Sequence, residues 1–360
     1  MDMANLKILS FGAGAIGTYI GGSLALSGHQ LVFLERPEIA EELRRRGLRL
    51  DLTLDKRRHT KEVFVLNPAS FVAASSLEDA LRYGPFDVAI YALKSFDTAD
   101  AVEGMKPFKD KLPPILCFSN GVDNEPALAS ALGADKVIAG TVVHSVGRRG
   151  AGDIVLERLR GIGIASTNPL SEELITVFNS AYLNARAYSN PVAMKWSKMM
   201  TNLTSNPLSA ILDLTAAEVF ADSRLFRLEM AMVHECIAVM KAQGIPLVDL
   251  PDAPVRELAV VSRLPLWISR LLLAGAAGSA RGAKMPSFHI DLYSGRGKTE
   301  AEFLHGAVVR AGEKFGVPTP VNKVLTEIVM ALFRKEIPVD EYAHQPDKLL
   351  AKIEQVEGKK

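Results

Sequence analysis

Six residues, Gly12-Ala13-Gly14-Ala15-Ile16-Gly17, constrain this chain more than any other stretch. They follow "KILSF", a short apolar segment that reads as a strand, and open a run to Leu26 that reads as a helix stopped by Gly28. "QLVFLER" reads as a second strand. Each glycine has its own reason in such a βαβ unit. Gly12 permits the tight turn off the strand, Gly14 lets backbone approach a pyrophosphate, and Gly17 lets the helix pack on the sheet. The helix N-terminus offers N–H groups and a positive dipole end to phosphate. GxGxxG alone is weak. Framed by strand, helix and second strand, it predicts a Rossmann-type dinucleotide-binding domain.

The second strand ends on Glu35 and Arg36. An acid there suits the ribose 2′-hydroxyl of NAD and an arginine suits the 2′-phosphate of NADP, so spacing leaves both cofactors open. Both residues are present, and on a continuing strand they point in different directions. The α/β rhythm continues through "FDVAIYAL", "PILCFSNG", "KVIAGTVVHS" and "GDIVLE". Ligands in such sheets lie beyond the carboxyl ends of strands, which makes Lys94 and Asn120 site candidates. Their plainer readings are an exposed loop lysine and an Asn-Gly turn.

A length of 360 residues suggests two domains, and the pattern changes after Tyr188. Residues 1–188 read as the dinucleotide-binding domain. From the turn "SNP" onward, 189–360, helical periodicity dominates, with helices expected over 223–244, 299–316 and 318–336. A formal net charge of +1 gives no reason to expect nucleic acid or an anionic membrane as partner. Arg44 to Arg46 and Lys56 to Arg58 read as solvated surface. Cys117 and Cys236 read as reduced core residues, and the spacing of cysteines and histidines predicts no metal site. "MDMANLKILSFGAG" lacks the regions of a signal peptide, so a cytoplasmic protein is expected. The apolar stretch 258–280 is interrupted by Arg263, Pro265 and Arg270, and reads as buried helix or a subunit contact rather than a membrane span. A homodimer through the helical half is a further expectation.

"MKWSKMMTNLTSNPLSAI", Met194 to Ile211, sets polar residues at helical spacing in an apolar stretch. On one helix Lys198, Asn202 and Asn206 advance about 40° per four residues, so all three would line one side of a substrate site. Lys195 lies on nearly the same face, and spacing does not separate the two lysines. Asn202 could equally bond backbone, and Asn206, before Pro207, could simply end the helix.

Five blocks in order resemble the ketopantoate reductase (2-dehydropantoate 2-reductase) family over nearly the whole chain. They are GAGAIG, "ALKSFDT", "SNGVDNE", "KWSKMMTNLTSNPLSAI" and "SFHIDLYSGRGKTEAEFLHG". The resemblance implies a Rossmann-type α/β domain followed by an all-α domain like the C-terminal domain of 6-phosphogluconate dehydrogenase. It implies hydride transfer from NADPH to the ketone of 2-dehydropantoate, a small 2-oxo acid, giving pantoate for pantothenate synthesis. By matched position Lys198 is the general acid. Asn202, Asn206 and Ser287 hold substrate. Glu300 orients Lys198 or meets substrate and cofactor, and its plainer reading is a helix-start acid. Lys94 and Asn120 lie near nicotinamide and substrate, and Gly12, Ala13, Gly14, Ala15, Ile16, Gly17 and Arg36 meet the cofactor. A lysine suits proton delivery to the carbonyl oxygen if partial burial lowers its pKa toward neutrality.

Two features depart from the family's pattern. Glu35 beside Arg36 keeps NAD in play. The stretch from Asn206 to Ser287, with its "PLWISRLLLAGAAGSARGAK", is longer than in compact members, which leaves room for a different branched 2-oxo acid. A cofactor-binding sensor without turnover is the third reading, and the intact Lys198, Asn202 and Glu300 speak against it.

Overall fold

The computed structural model describes residues 5–58, 62–281, 285–295 and 297–357. Internal contacts divide the chain into two compact units, Met1–Lys195 with Asp249–Ala253, and Trp196–Val248 with Pro254–Lys360. The division falls inside the helix Pro191–Leu203, a few residues beyond the change of pattern at Tyr188.

The first unit holds all the named strands: β1 (Lys7–Phe11), β2 (Gln30–Leu34), β3 (Leu48–Asp51), β4 (Val63–Leu66), β5 (Val72–Ala74), β6 (Val88–Tyr91), β7 (Ile115–Cys117), β8 (Val137–Val142), β9 (Ser145–Gly150), β10 (Asp153–Arg158), β11 (Ile162–Ala165) and β12 (Ala185–Tyr188). Eight of them form one sheet in the order β12-β11-β8-β7-β6-β1-β2-β5, parallel except at β8–β11. β6, β7 and β11 are buried throughout, as strands covered on both faces must be. The sheet separates two apolar cores. One gathers Ile8, Tyr19, Phe33 and Phe178, and the other Leu9, Tyr91, Met105 and Leu128. A smaller sheet, β4-β3-β10-β9, packs on the helix Ala15–Leu26. The glycines of that helix make the packing possible, because a Cβ on Gly22 would come within 2.7 Å of the Leu50 side chain.

Expectation and structure part at the second basic run. Arg58 is buried, and its guanidinium reaches Asp55, Ser23 Oγ and the Ala181 carbonyl. Arg57 forms a two-toothed pair with the same Asp55. A buried carboxylate requires such partners, which a linear reading of "KRR" does not show.

The described part of the second unit is helical. Its longest helix, Ser223–Ala242, starts where Asp222 accepts from the N–H groups of Arg224 and Leu225. Glu235 of that helix accepts from the N–H groups of Val321 and Asn322, so it caps the start of the helix Pro320–Phe333 from outside. Stretch 258–280 is helical in Val255–Val261 and Leu266–Arg281, and of the two expectations, buried helix or subunit contact, the first fails at its described side chains. Ser269 turns inward, whereas Trp267 and Leu271 are 71% and 73% exposed. Among the described residues no helix is long and apolar enough to cross a membrane.

Candidate active site

In the first unit the glycine run turns from β1 into the helix Ala15–Leu26. Gly12 has φ +94°, and a Cβ on Gly17 would stand 2.0 Å from the Gly12 carbonyl oxygen. Only glycine fits at either place. Gly14 differs: a Cβ there meets nothing within 4 Å, so its bare face looks into open space. Open space beside the first turn of a helix, whose early N–H groups lack intrahelical acceptors, is what a pyrophosphate needs.

Glu35 folds back on this loop. Its Oε1 accepts from the Ala13 N–H at 2.7 Å and its Oε2 from the Arg36 N–H at 3.1 Å. The Arg36 side chain is 73% exposed and lies 3.5 Å from Glu38.

Lys94 and Asn120 follow the carboxyl ends of the neighbouring strands β6 and β7, and both are half-buried. A polar network joins the two loops. Ser119 Oγ donates to the Leu93 carbonyl (2.7 Å), while Ser95 Oγ and Asn124 Nδ2 both donate to the Asn120 carbonyl (2.6 Å each). Thr98 Oγ1 donates to Asn124 Oδ1 and so fixes that amide. Lys195 Nζ, 6% exposed, donates to the Ser119 carbonyl at 2.6 Å and sits 2.7 Å from Glu125 Oε1.

In the second unit, Lys198 and Asn202 are half-buried on the helix Pro191–Leu203. Asn206 does not continue it, contrary to the expectation of a single helix. The chain breaks at Ser205, φ +65°, and the helix Asn206–Leu212 starts anew. Pro207 is the reason: it lacks an N–H, and its ring would clash with the carbonyl four residues back. Asn206 then bridges three segments. Its Nδ2 donates to the Asn202 carbonyl (2.6 Å), and its Oδ1 accepts from Ser287 Oγ (3.0 Å) and the Phe288 N–H (3.4 Å). The Ser287 hydroxyl therefore donates to Asn206. Glu300, 2% exposed, immediately precedes the helix Ala301–Phe315.

The sequence reading passed over Glu229. It is fully buried, and its Oε2 accepts from the N–H of the strained Ser205. A lone acid on the apolar face formed by Leu225, Phe226, Met232 and Val233 was the available signal. His289 also went unnoticed. It stacks on Tyr293 and bonds Asp213 at 2.6 Å, which ties the helix Ser287–Tyr293 to the end of the helix Asn206–Leu212.

Two family models match the chain. "Ketopantoate reductase PanE/ApbA" covers residues 8–168, and "Ketopantoate reductase PanE/ApbA C terminal" covers 190–333. A 2-dehydropantoate 2-reductase of Streptococcus pyogenes is 27% identical, over 68% of this chain and 75% of the relative. One from Pyrococcus horikoshii is 25% identical over 91% and 97%. Among solved structures, a PanE/ApbA family ketopantoate reductase from Ralstonia eutropha superposes with a TM-score of 0.75 at 26% identity, covering 92% of this chain and 99% of the other.

Proposed function

This chain belongs to the ketopantoate reductase family, oxidoreductases that act on CH–OH groups, and on that premise we propose that it reduces 2-dehydropantoate to pantoate with NADPH. A bound nicotinamide cofactor supplies the hydride. Gly12 to Gly17 hold its pyrophosphate, with the open face of Gly14 as the cradle and the helix Ala15–Leu26 as the dipole behind it. Arg36 meets the 2′-phosphate. In support, both carboxylate oxygens of Glu35 are engaged by backbone N–H groups, while the Arg36 guanidinium reaches solvent.

Reduction of a ketone leaves negative charge on its oxygen, which a nearby cation stabilises and a proton quenches. Lys198 is the proton donor and Glu300 its partner. Asn202 and Ser287 hold substrate polar groups, with Asn206 fixing Ser287. Lys94 and Asn120 flank nicotinamide and substrate. The proposal includes a cytoplasmic setting, with a small 2-oxo acid as the partner.

The observation that carries this reading is the union of Asn202, Asn206 and Ser287 in one hydrogen-bonded group one turn beyond Lys198. The test is loss of NADPH or NADH absorbance with a panel of 2-oxo acids. We expect turnover with 2-dehydropantoate and a preference for NADPH. Turnover only with another ketoacid rejects the substrate, and no oxidation with any of them rejects the enzyme reading.

A further inference from the structure

We propose that Lys195 is a positioning residue, whose buried ammonium, paired with Glu125, fixes the turn that presents Asn120 beyond β7. The proposal rests on the reading above for the role of Asn120.

An ammonium has three protons and no acceptor. Lys195 meets three oxygens: the Ser119 carbonyl at 2.6 Å, the Gly140 carbonyl at 3.3 Å and Glu125 Oε1 at 2.7 Å. The two carbonyls accept hydrogen bonds and Glu125 Oε1 stands beside the ammonium as its ion-pair partner, all of them in the first unit. That arrangement suits a fixed charge rather than a proton donor for a substrate. The two carbonyls belong to neighbouring chain segments, the loop that follows β7 and the interior of β8. Glu125 sits in the first turn of the helix Asn124–Leu132, where an acid also favours the dipole.

The turn after β7 is held by further donors as well. Ser95 Oγ and Asn124 Nδ2 converge on the Asn120 carbonyl. Consecutive carbonyls, Ser119 and Asn120, are thus each held by side-chain donors, which defines the peptide that carries the Asn120 side chain.

Stability alone gives weak reason for such a pair. A buried ion pair commonly adds no stability over apolar residues of similar size, whereas removal of one partner strands a charge. Lys195 and Glu125 are 6% and 13% exposed at their side chains, so this comparison applies. What apolar replacements cannot supply is the hydrogen bond to the Ser119 carbonyl.

The experiment uses the full chain as wild type, Glu125→Gln and Lys195→Met/Glu125→Leu. It reads melting temperature, amide exchange, NADPH affinity and the kcat and KM for the ketoacid. Glu125→Gln keeps the shape and an acceptor, and so protects against a failure to fold. We expect exchange at 119–125 to quicken at least about 10-fold in the double variant while other amides hold. We expect kcat/KM to fall at least about 10-fold with NADPH affinity retained, the milder variant lying between. Wild-type exchange in that turn, or activity that falls only in step with global melting, overturns the proposal. If wild type turns over no ketoacid, the functional reading fails, and local exchange alone still decides whether Lys195 fixes the turn.

Discussion

Lys195 and Lys198 stand one helical turn apart, and their environments separate them. Lys195 is buried against two carbonyls and a carboxylate, while Lys198 is half-buried. As proposed, Lys198 touches substrate and Lys195 does not. Lys198→Ala should therefore lower kcat by about 10²–10⁴-fold, the usual range for loss of a general acid. Cofactor binding, read by quenching of intrinsic fluorescence, should stay unchanged. A variant that keeps more than a tenth of wild-type kcat would remove Lys198 from the proton-donor role. The same distinction between a group that reacts and a group that holds applies to the asparagines. Asn206 is committed to the Asn202 backbone, Ser287 and Phe288, which suits the role proposed for it of fixing its neighbours.

At the scale of elements, two junctions matter. One is the turn from β1 into the helix Ala15–Leu26, where the glycines do different work. Gly17 has no room for a methyl group, and Gly14 has room and an ordinary φ of −68°. Gly17→Ala should destabilise the fold by about 1–3 kcal/mol, as overpacking does, and weaken cofactor binding with it. Gly14→Ala should leave the melting temperature within about 1 °C while NADPH affinity falls, because the methyl would fill the space proposed for pyrophosphate. Thermal melts beside cofactor titrations check both, and equal melting losses would refute the division. The other junction is the break at Ser205. Pro207 forces it, and Glu229 and Asn206 satisfy the groups it leaves exposed. The result moves Asn206 off the helical line that spacing predicts and into contact with Ser287.

For the whole molecule, acid should act through three buried histidines, His29 and His144 in the first unit and His305 in the second, each with its pKa lowered by burial. His144 accepts from the Arg160 N–H on Nδ1 and bonds the Leu183 carbonyl through Nε2, so its neutral form uses both nitrogens. Burial pulls its pKa down to about 4. His305 bonds Asn322 Oδ1 through Nδ1, and burial lowers its pKa to about 4 as well. Unfolded histidines titrate near 6.5, so between about pH 6.5 and 4 the unfolded chain binds more protons than the folded one. Stability is then fully present above that window and falls as the pH drops through it, by at most about three protons' worth of slope. Urea unfolding at several pH values from 7.5 to 4.5 should show the decline, and His144→Gln with His305→Gln should make it shallower, leaving the part due to His29. A pH-independent midpoint in wild type would show that these rings do not stay neutral.

The sequence by itself determined what is local. Backbone freedom at Gly12 and Gly17, the strand–helix–strand order around them, and the switch to helical periodicity after Tyr188 follow from properties each residue carries wherever it is placed. The order of five motifs pointed to the family that the family models match. Only the tertiary structure decided which polar groups meet. Arg58 reads as surface because "KRR" is charged, yet Asp55 and the Ala181 carbonyl draw it into the interior. Trp267 and Leu271 lie in a stretch that reads as buried helix or a subunit contact, and their helix turns Ser269 inward and leaves them exposed. Lys195 reads like Lys198 until Ser119, Gly140 and Glu125, far away in sequence, close around it. Burial and hydrogen bonding are properties of neighbours, and long-range folding, not spacing along the chain, brings these neighbours together.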